Sequence, residues 1–398
     1  MYVWYKINIK PMKKVYEKMK KTFIIKLIII ILLVAFVITT IVLYLKNEQF
    51  RNILDKYLFQ KEIKENDVPF IEIDSSKISG MYAYDRYLCL LQGNKLELYN
   101  RYGKKEDSLE IEISNPLFES NENYLAIAEK NGSKLYFING NNIVWQKDIE
   151  GNISNINVNR NGYLSITILG TSYKTVIKSF NSSGEELFTT YLASTNVVDT
   201  DISNDNKYLA IAETNISGIV VQSAIKIISI DDAKDNTANS IKYTHLANSG
   251  DLIINIKYQN KNNLICMYDE HIDILNNDQN NEIVNLKEKE LLFADINFPT
   301  KVIKVSQIMT GLFNSKAEME IIDSNNNSSN KIELENVPKA IKIQDNIVAI
   351  NLGTNALFIR ENGWVARKYE SLHEIHDILI CRNIAGIVTK NKIEIISL

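Results

Sequence analysis

The side chains best suited to chemistry are few. Four histidines occur, at positions 245, 271, 373 and 376. His373 and His376 have the i, i+3 spacing of metal ligands on a helical turn, but no third donor stands at a matching distance, and the stretch reads as a link between strands. Asp199-Thr200-Asp201 with Asp205 imitates part of a calcium loop. The loop glycine and closing glutamate of that motif are missing, so it reads as a strand-to-strand turn rich in Asp and Asn. Glu185-Glu186 offers the paired carboxylates of a glycosidase, but scattered surface acids explain it far better. Cys89, Cys266 and Cys381 are far apart, each inside an apolar run, and read as small core residues. Cys89 and Cys381 fall in the first and last repeats, where a closed ring would leave a pairing open. The sequence contains no G-x-S-x-G, nucleophile–base–acid set or Walker loop. No catalytic, cofactor-binding or metal residue is assigned, and no cofactor is expected.

The elements that would position such residues announce themselves by repetition. Asn123-Tyr124-Leu125-Ala126-Ile127-Ala128-Glu129 returns as Lys207-Tyr208-Leu209-Ala210-Ile211-Ala212-Glu213, its tyrosine 84 residues on, or two steps of 42. A weaker copy, Gly162-Tyr163-Leu164-Ser165-Ile166, lies between. Such a period is that of propeller blades. Core strands start near Tyr87, Tyr124, Tyr163, Tyr208, Asn263, Val302, Ile347 and Ile384. Asn131-Gly132 and Asn139-Gly140 mark hairpins, because both central positions of a type I′ turn need φ > 0. With one strand before each core strand and two after it, a unit has four strands. The last unit stops one strand short, and Pro69–Asp74 at the front can complete it and remove the open edge. The expected fold is all-β, an eight-bladed propeller, with seven blades the alternative if the irregular 230–300 region is miscounted. Ser324–Asn330 reads as a mobile polar loop within unit six.

One helical element precedes the repeats. Leu27–Leu45 runs for nineteen residues without a charge, about 28 Å of helix and close to the thickness of a bilayer's hydrocarbon core. No small-residue cleavage site follows, so the stretch reads as an uncleaved anchor. Eight lysines against Glu17 in residues 1–26 place the N-terminus in the cytoplasm. Subtracting them from 45 basic and 48 acidic residues leaves 37 against 47, a body that repels phosphate backbones, so nucleic acid is not an expected partner. The expected organisation is a basic tail over 1–22, a transmembrane helix over 23–45, a juxtamembrane stalk with helical spacing over 46–67, and an extracytoplasmic propeller over 68–398. Met12 looks like a natural start, so residues 1–11 are set aside. The richness in Ile, Asn and Lys reads as codon usage of an AT-rich genome.

Ile202–Ala210 resembles the S-P-D-G-K-Y-L-A hairpin of WD-repeat-like bacterial propellers, and Gly140–Lys147, with Trp145, resembles the G-x-x-x-W tail of quinoprotein (PQQ-like) repeats. Asn362-Gly363-Trp364 is a fainter echo. The plan over residues 12–398 resembles a family of membrane-anchored propellers of low-GC Gram-positive bacteria, which implies the fold and the anchor but no activity. Function is therefore expected to be binding: an envelope protein, a peptide or a wall polymer docked on loop faces, the bilayer held through residues 23–45, and the chain located at the cell membrane. The alternatives are a quinoprotein-like or glycan-active enzyme and the ectodomain of a sensory complex. A cluster of carboxylates in the central channel would favour an enzyme.

Overall fold

A computed structural model describes residues 10–46, 50, 54, 58, 62–64, 68–277, 279–287, 290–309 and 315–398. The chain divides into two units, residues 1–61 and 62–398. The first contains α1 (Lys10–Lys46), of which Lys26–Lys46 is long and apolar enough to cross a membrane. The stalk expected over 46–67 lies largely outside the described residues; where helical spacing was read across it, Glu62–Lys64 is an extended strand.

The second unit is an eight-bladed propeller. Seven blades take four strands in chain order, and the eighth combines Asp377–Cys381, Ile384–Val388 and Lys392–Ser397 with the N-terminal Phe70–Glu72. That closure is the one the short last repeat requires: Phe70 pairs with Glu394 and Glu72 with Lys392. Blade seven gains a fifth strand on its outer edge, Glu62–Lys64, parallel to Val365–Glu370. The second strands begin at or within one residue of the eight positions read from the repeats. The long fourth step has a physical cause. After Gln222–Ser229, Ser229 caps a short helix, Ile230–Asp235, and a 3₁₀ turn delays the last strand of blade four to Ile241–Leu246.

The repeated Leu-Ala-Ile-Ala shows how the ring packs. In a strand, alternate side chains face opposite sides. Leu125 and Ile127 face blade one, while Ala126 and Ala128 face blade three. Leu209 and Ile211 likewise face blade three, and Ala210 and Ala212 face blade five. Both faces are buried, with large residues on one side and small ones on the other, so neighbouring sheets interlock. The described residues form eight apolar clusters, one at every junction, including the seam where Ile71, Leu379 and Ile393 meet Leu88 and Leu90. Trp145 closes the junction of blades two and three, stacked 5.0 Å from Phe137 and donating to Ser182 O at 3.2 Å. It lies so close to Gly184 (φ +84°) that a Cβ there would stand 2.8 Å from the indole.

Because Ile71 fills the seam at 5% exposure, Ile71→Ala should cost about 2–4 kcal/mol of stability, measured by urea unfolding. A loss under about 0.5 kcal/mol, the scale of an ordinary surface substitution, would mean that this strand does not close the ring.

Candidate functional site

The first strand of each blade lines the axis, and at most junctions the first strands of neighbouring blades touch. Such a strand has an inner edge whose N–H groups face the axis with no strand to pair with. Side chains from these strands supply the acceptors. In blade five (Ile253–Tyr258), Ile256 N–H donates to Asp199 Oδ2 at 3.2 Å and Tyr258 N–H to Asp201 Oδ2 at 2.6 Å. The match follows from the pleat: outward N–H groups recur every second residue, and so do the carboxylates at 199 and 201 of blade four. Asn155 of blade three donates to Asp199 Oδ1 at 3.2 Å, and Asn157 hydrogen-bonds Asp201. Elsewhere the strand serves itself: Ile156 N–H donates to Asn155 Oδ1 and Ile378 N–H to Asp377 Oδ1.

Lys257 enters this acidic ring, its Nζ 3.4 Å from Asp201 Oδ1. Burial alone would discharge it, but Asp201, Glu119 and Asp199 reverse that and hold its pKa above the usual lysine range. The acids bear the opposite cost. Burial, then the negative neighbours Asp199 and Asp201, outweigh Lys257 and push Glu119 up to about 7. Asp199 is pushed up to about 6 by burial and Asp201, against the Ile256 N–H. Burial also raises Asp201 and Asp295. Glu119 is half-buried and accepts no hydrogen bond from the described residues. Four blades thus contribute one charge group, with four carboxylates to one ammonium.

The face carrying the turns between first and second strands is tied across blades. Asn121 Nδ2 donates to Val158 O, Asn159 Nδ2 to Ser203 O, Asn161 Nδ2 to Asn204 O and Asn204 Nδ2 to Gln259 O, at 2.9–3.3 Å. Arg382 ties the seam: its N–H donates to Asp345 Oδ2 at 2.7 Å, and its guanidinium lies 3.3 Å from Asp85 and 3.4 Å from Glu122. Below it, Gln344 Nε2 reaches Ala83 O at 2.9 Å. These asparagines therefore have structural roles, whatever sets the overall composition. Asn131, Asn206, Asn277, Asn327 and Asn346 also take positive φ in turns, which asparagine tolerates well.

The residues singled out from sequence are scattered. Asp199 and Asp201 lie in a strand (Asn196–Ile202) facing the axis, not in the expected turn; only Asp205 belongs to a turn, where it accepts from Ser203 Oγ. His373 and His376 are exposed in the link between blades seven and eight. His373 lines a shallow rim groove of about 520 Å³ with Phe70 and Lys392. Glu185 and Glu186 bond within their own hairpin, to Asn181 and to Lys178 and Thr189. Among the described residues no three His, Cys, Asp or Glu groups are placed to hold a metal ion. All three cysteines are buried and free. Cys89 packs toward blade two and Cys381 across the seam, and both thiols point at Tyr87 O. Ser324, expected in a mobile loop, is buried and donates to Gln259 Oε1 at 2.6 Å, while Ser329–Leu334 is a strand. Glu119, Lys257 and Asp295 carried no sequence signal; a charge inside a strand that packs against its neighbours on both sides was the available clue.

The chain belongs to a family of unknown function, DUF5711, whose model matches residues 60–398. No curated protein matches the sequence. Among solved structures, the dihydro-heme d1 dehydrogenase NirN in complex with DHE is similar at 8% identity and a TM-score of 0.53, over 83% of this chain and 72% of that one. BamB from Moraxella catarrhalis is similar at 8% identity and a TM-score of 0.48, over 83% and 99%. At such identities the likeness concerns the fold.

Glu119 and Asp199 have folded pKa values raised above their unfolded values, so between about pH 4 and 7 the folded state binds more protons. Their unfavourable contribution is absent at the acid end of that window and grows as pH rises through the folded values. Thermal stability should therefore fall from pH 5 to pH 8. Glu119→Gln should raise the melting temperature by about 2 °C at pH 8 and hardly at pH 5, and a loss at pH 8 would contradict the assignment.

Proposed function

We propose that the protein is a single-pass, membrane-anchored binding module with its propeller outside the cytoplasm and no chemistry of its own. It would dock an envelope protein, a peptide or a wall polymer, in a bacterium of the low-GC Gram-positive kind. The observation that carries this reading is how the axial charges are used. Asp199 and Asp201 bond the backbone N–H groups of the next blade and Lys257 pairs with Asp201, so the polar groups at the axis mostly hold strands together. Recognition is then left to the loops, which a rigid ring presents on its two faces. The apolar length of α1 supports the anchor, and the lysines preceding it support a cytoplasmic N-terminus. The domain limits follow, with the propeller starting at the edge strand Glu62–Lys64 rather than at residue 68.

A second reading, an enzyme, is favoured by the cluster of carboxylates at the axis and by one member of it. Burial pushes Glu119 up to about 7 near Lys257, and no donor among the described residues engages it, which suits a general acid–base. The two readings part on one comparison. Crosslinked cells expressing the full chain or its Glu119→Gln variant should yield the same captured envelope component. If capture fails in both while the purified chain turns over a metabolite in a Glu119-dependent way, the binding reading is wrong and the enzyme reading stands.

A further inference from the structure

We infer that one face of blades three and four is a lipid-contact surface that rests on the bilayer interface. The inference depends on reading α1 as a membrane anchor. The face is the one carrying the hairpins between second and third strands and the crossings from blade to blade. In blade four the hairpin is paired up to Asn215 and Gln222, leaving residues 216–221 as a protruding tip. Ile219 at that tip is fully exposed, at 105%. Ile216, Val220 and Leu246 of the same blade, with Tyr173 and Tyr191 of blade three, are exposed between 43% and 64%. The two tyrosine rings lie 4.7 Å apart. Leu246 pairs with Ala224 at the base of the tip, and Gln222 Nε2 donates to Ala247 O, so the apolar groups of blade four share one surface.

Charge decides what this surface meets. Residues 165–173, 187–198, 214–225 and 243–250 contain no Asp, Glu, Lys or Arg, although 23% of the chain is charged. Four such stretches converge on one face, bordered there by Lys174 and Asp251, while residues 27–398 carry an excess of ten acids. A shaped protein partner would meet charges and hydrogen-bonding groups that fix its orientation. Branched aliphatic tips flanked by tyrosines are instead the composition of the membrane interface. Reach makes lipid the occupant at hand. Fifteen residues, 47–61, separate α1 from the first propeller strand and span at most about 50 Å, so the tether keeps the propeller near the bilayer at high effective concentration. An acidic body beside a bilayer with anionic headgroups can approach closely through these apolar tips, where the adjoining charges are Lys174 and Asp251.

The test uses the full chain reconstituted in phosphatidylcholine vesicles. Since the native cysteines are buried, Ile219→Cys can carry an environment-sensitive fluorophore, with Lys104→Cys as a control on the opposite face. The label at 219 should be blue-shifted, several-fold brighter than in detergent-free buffer without lipid, and quenched by lipids brominated along the acyl chain. The label at 104 should show none of this. Adding Ile216→Asp and Val220→Asp should return the 219 label to its aqueous spectrum while the chain still floats with the vesicles. An aqueous spectrum at 219 in floated protein, or a blue shift that brominated lipid does not quench, overturns the inference; the latter indicates contact with another protein copy. Failure to float overturns the anchor itself, so the two readings fail separately.

Discussion

A ring of sheets must do something with the inner edge of every blade. At the outer rim a strand can give its free N–H and C=O groups to water, but near the axis space is short and the groups face other strands. Here the answer is written in side chains at positions i and i+2. Asp199 and Asp201 accept from Ile256 and Tyr258, joining blades four and five along their inner edges. Once two carboxylates are buried there, a buried cation becomes favourable, and Lys257 provides it. The raised pKa values of Glu119 and Asp199 are the remaining imbalance, four acids around one ammonium.

The apolar frame was legible in the chain because it is local and repeated. Leu125-Ala126-Ile127-Ala128 and its copy at 209–212 state both faces of a buried strand in four letters, and the Asn-Gly pairs mark the hairpins, though only Asn131 and Gly140 take positive φ and neither pair forms the expected type I′ turn. Even the closing strand was legible, since a last unit lacking one strand needs one from elsewhere. The axial group was not, because each blade contributes only one or two members and Glu119 is 138 residues from Lys257. Nothing local distinguishes such a charge from one facing water. Asp199-Thr200-Asp201 did stand out, but its spacing suits a calcium loop and an inner-edge strand alike, and only the register with Ile256 and Tyr258 separates them. Asparagine misled in the opposite way: side chains that looked compositional tie the turns of successive blades together.

The functional argument rests on a separation of roles within the disc. At the axis, polar groups bind the protein's own backbone; on the face turned by Arg382 and the asparagines, polar groups bind neighbouring blades. The face of Ile219 and Tyr191 has such ties as well, Ser223 Oγ donating to Asp251 O, but it also exposes apolar surface to the surroundings. In a chain with a 21-residue apolar helix near its N-terminus, that division favours a tethered, oriented binding module over a reaction chamber.

The most direct measurement of the central claim is amide hydrogen exchange across residues 253–258 in the native protein. If Asp199 and Asp201 hold the inner edge, Ile256 and Tyr258 exchange as slowly as the core strand Asn263–Tyr268 beside them, and Asp201→Asn accelerates Tyr258 selectively. Exchange of both amides at the rate of a free strand edge would contradict the account and return the axial charges to the solvent, where they could serve a substrate.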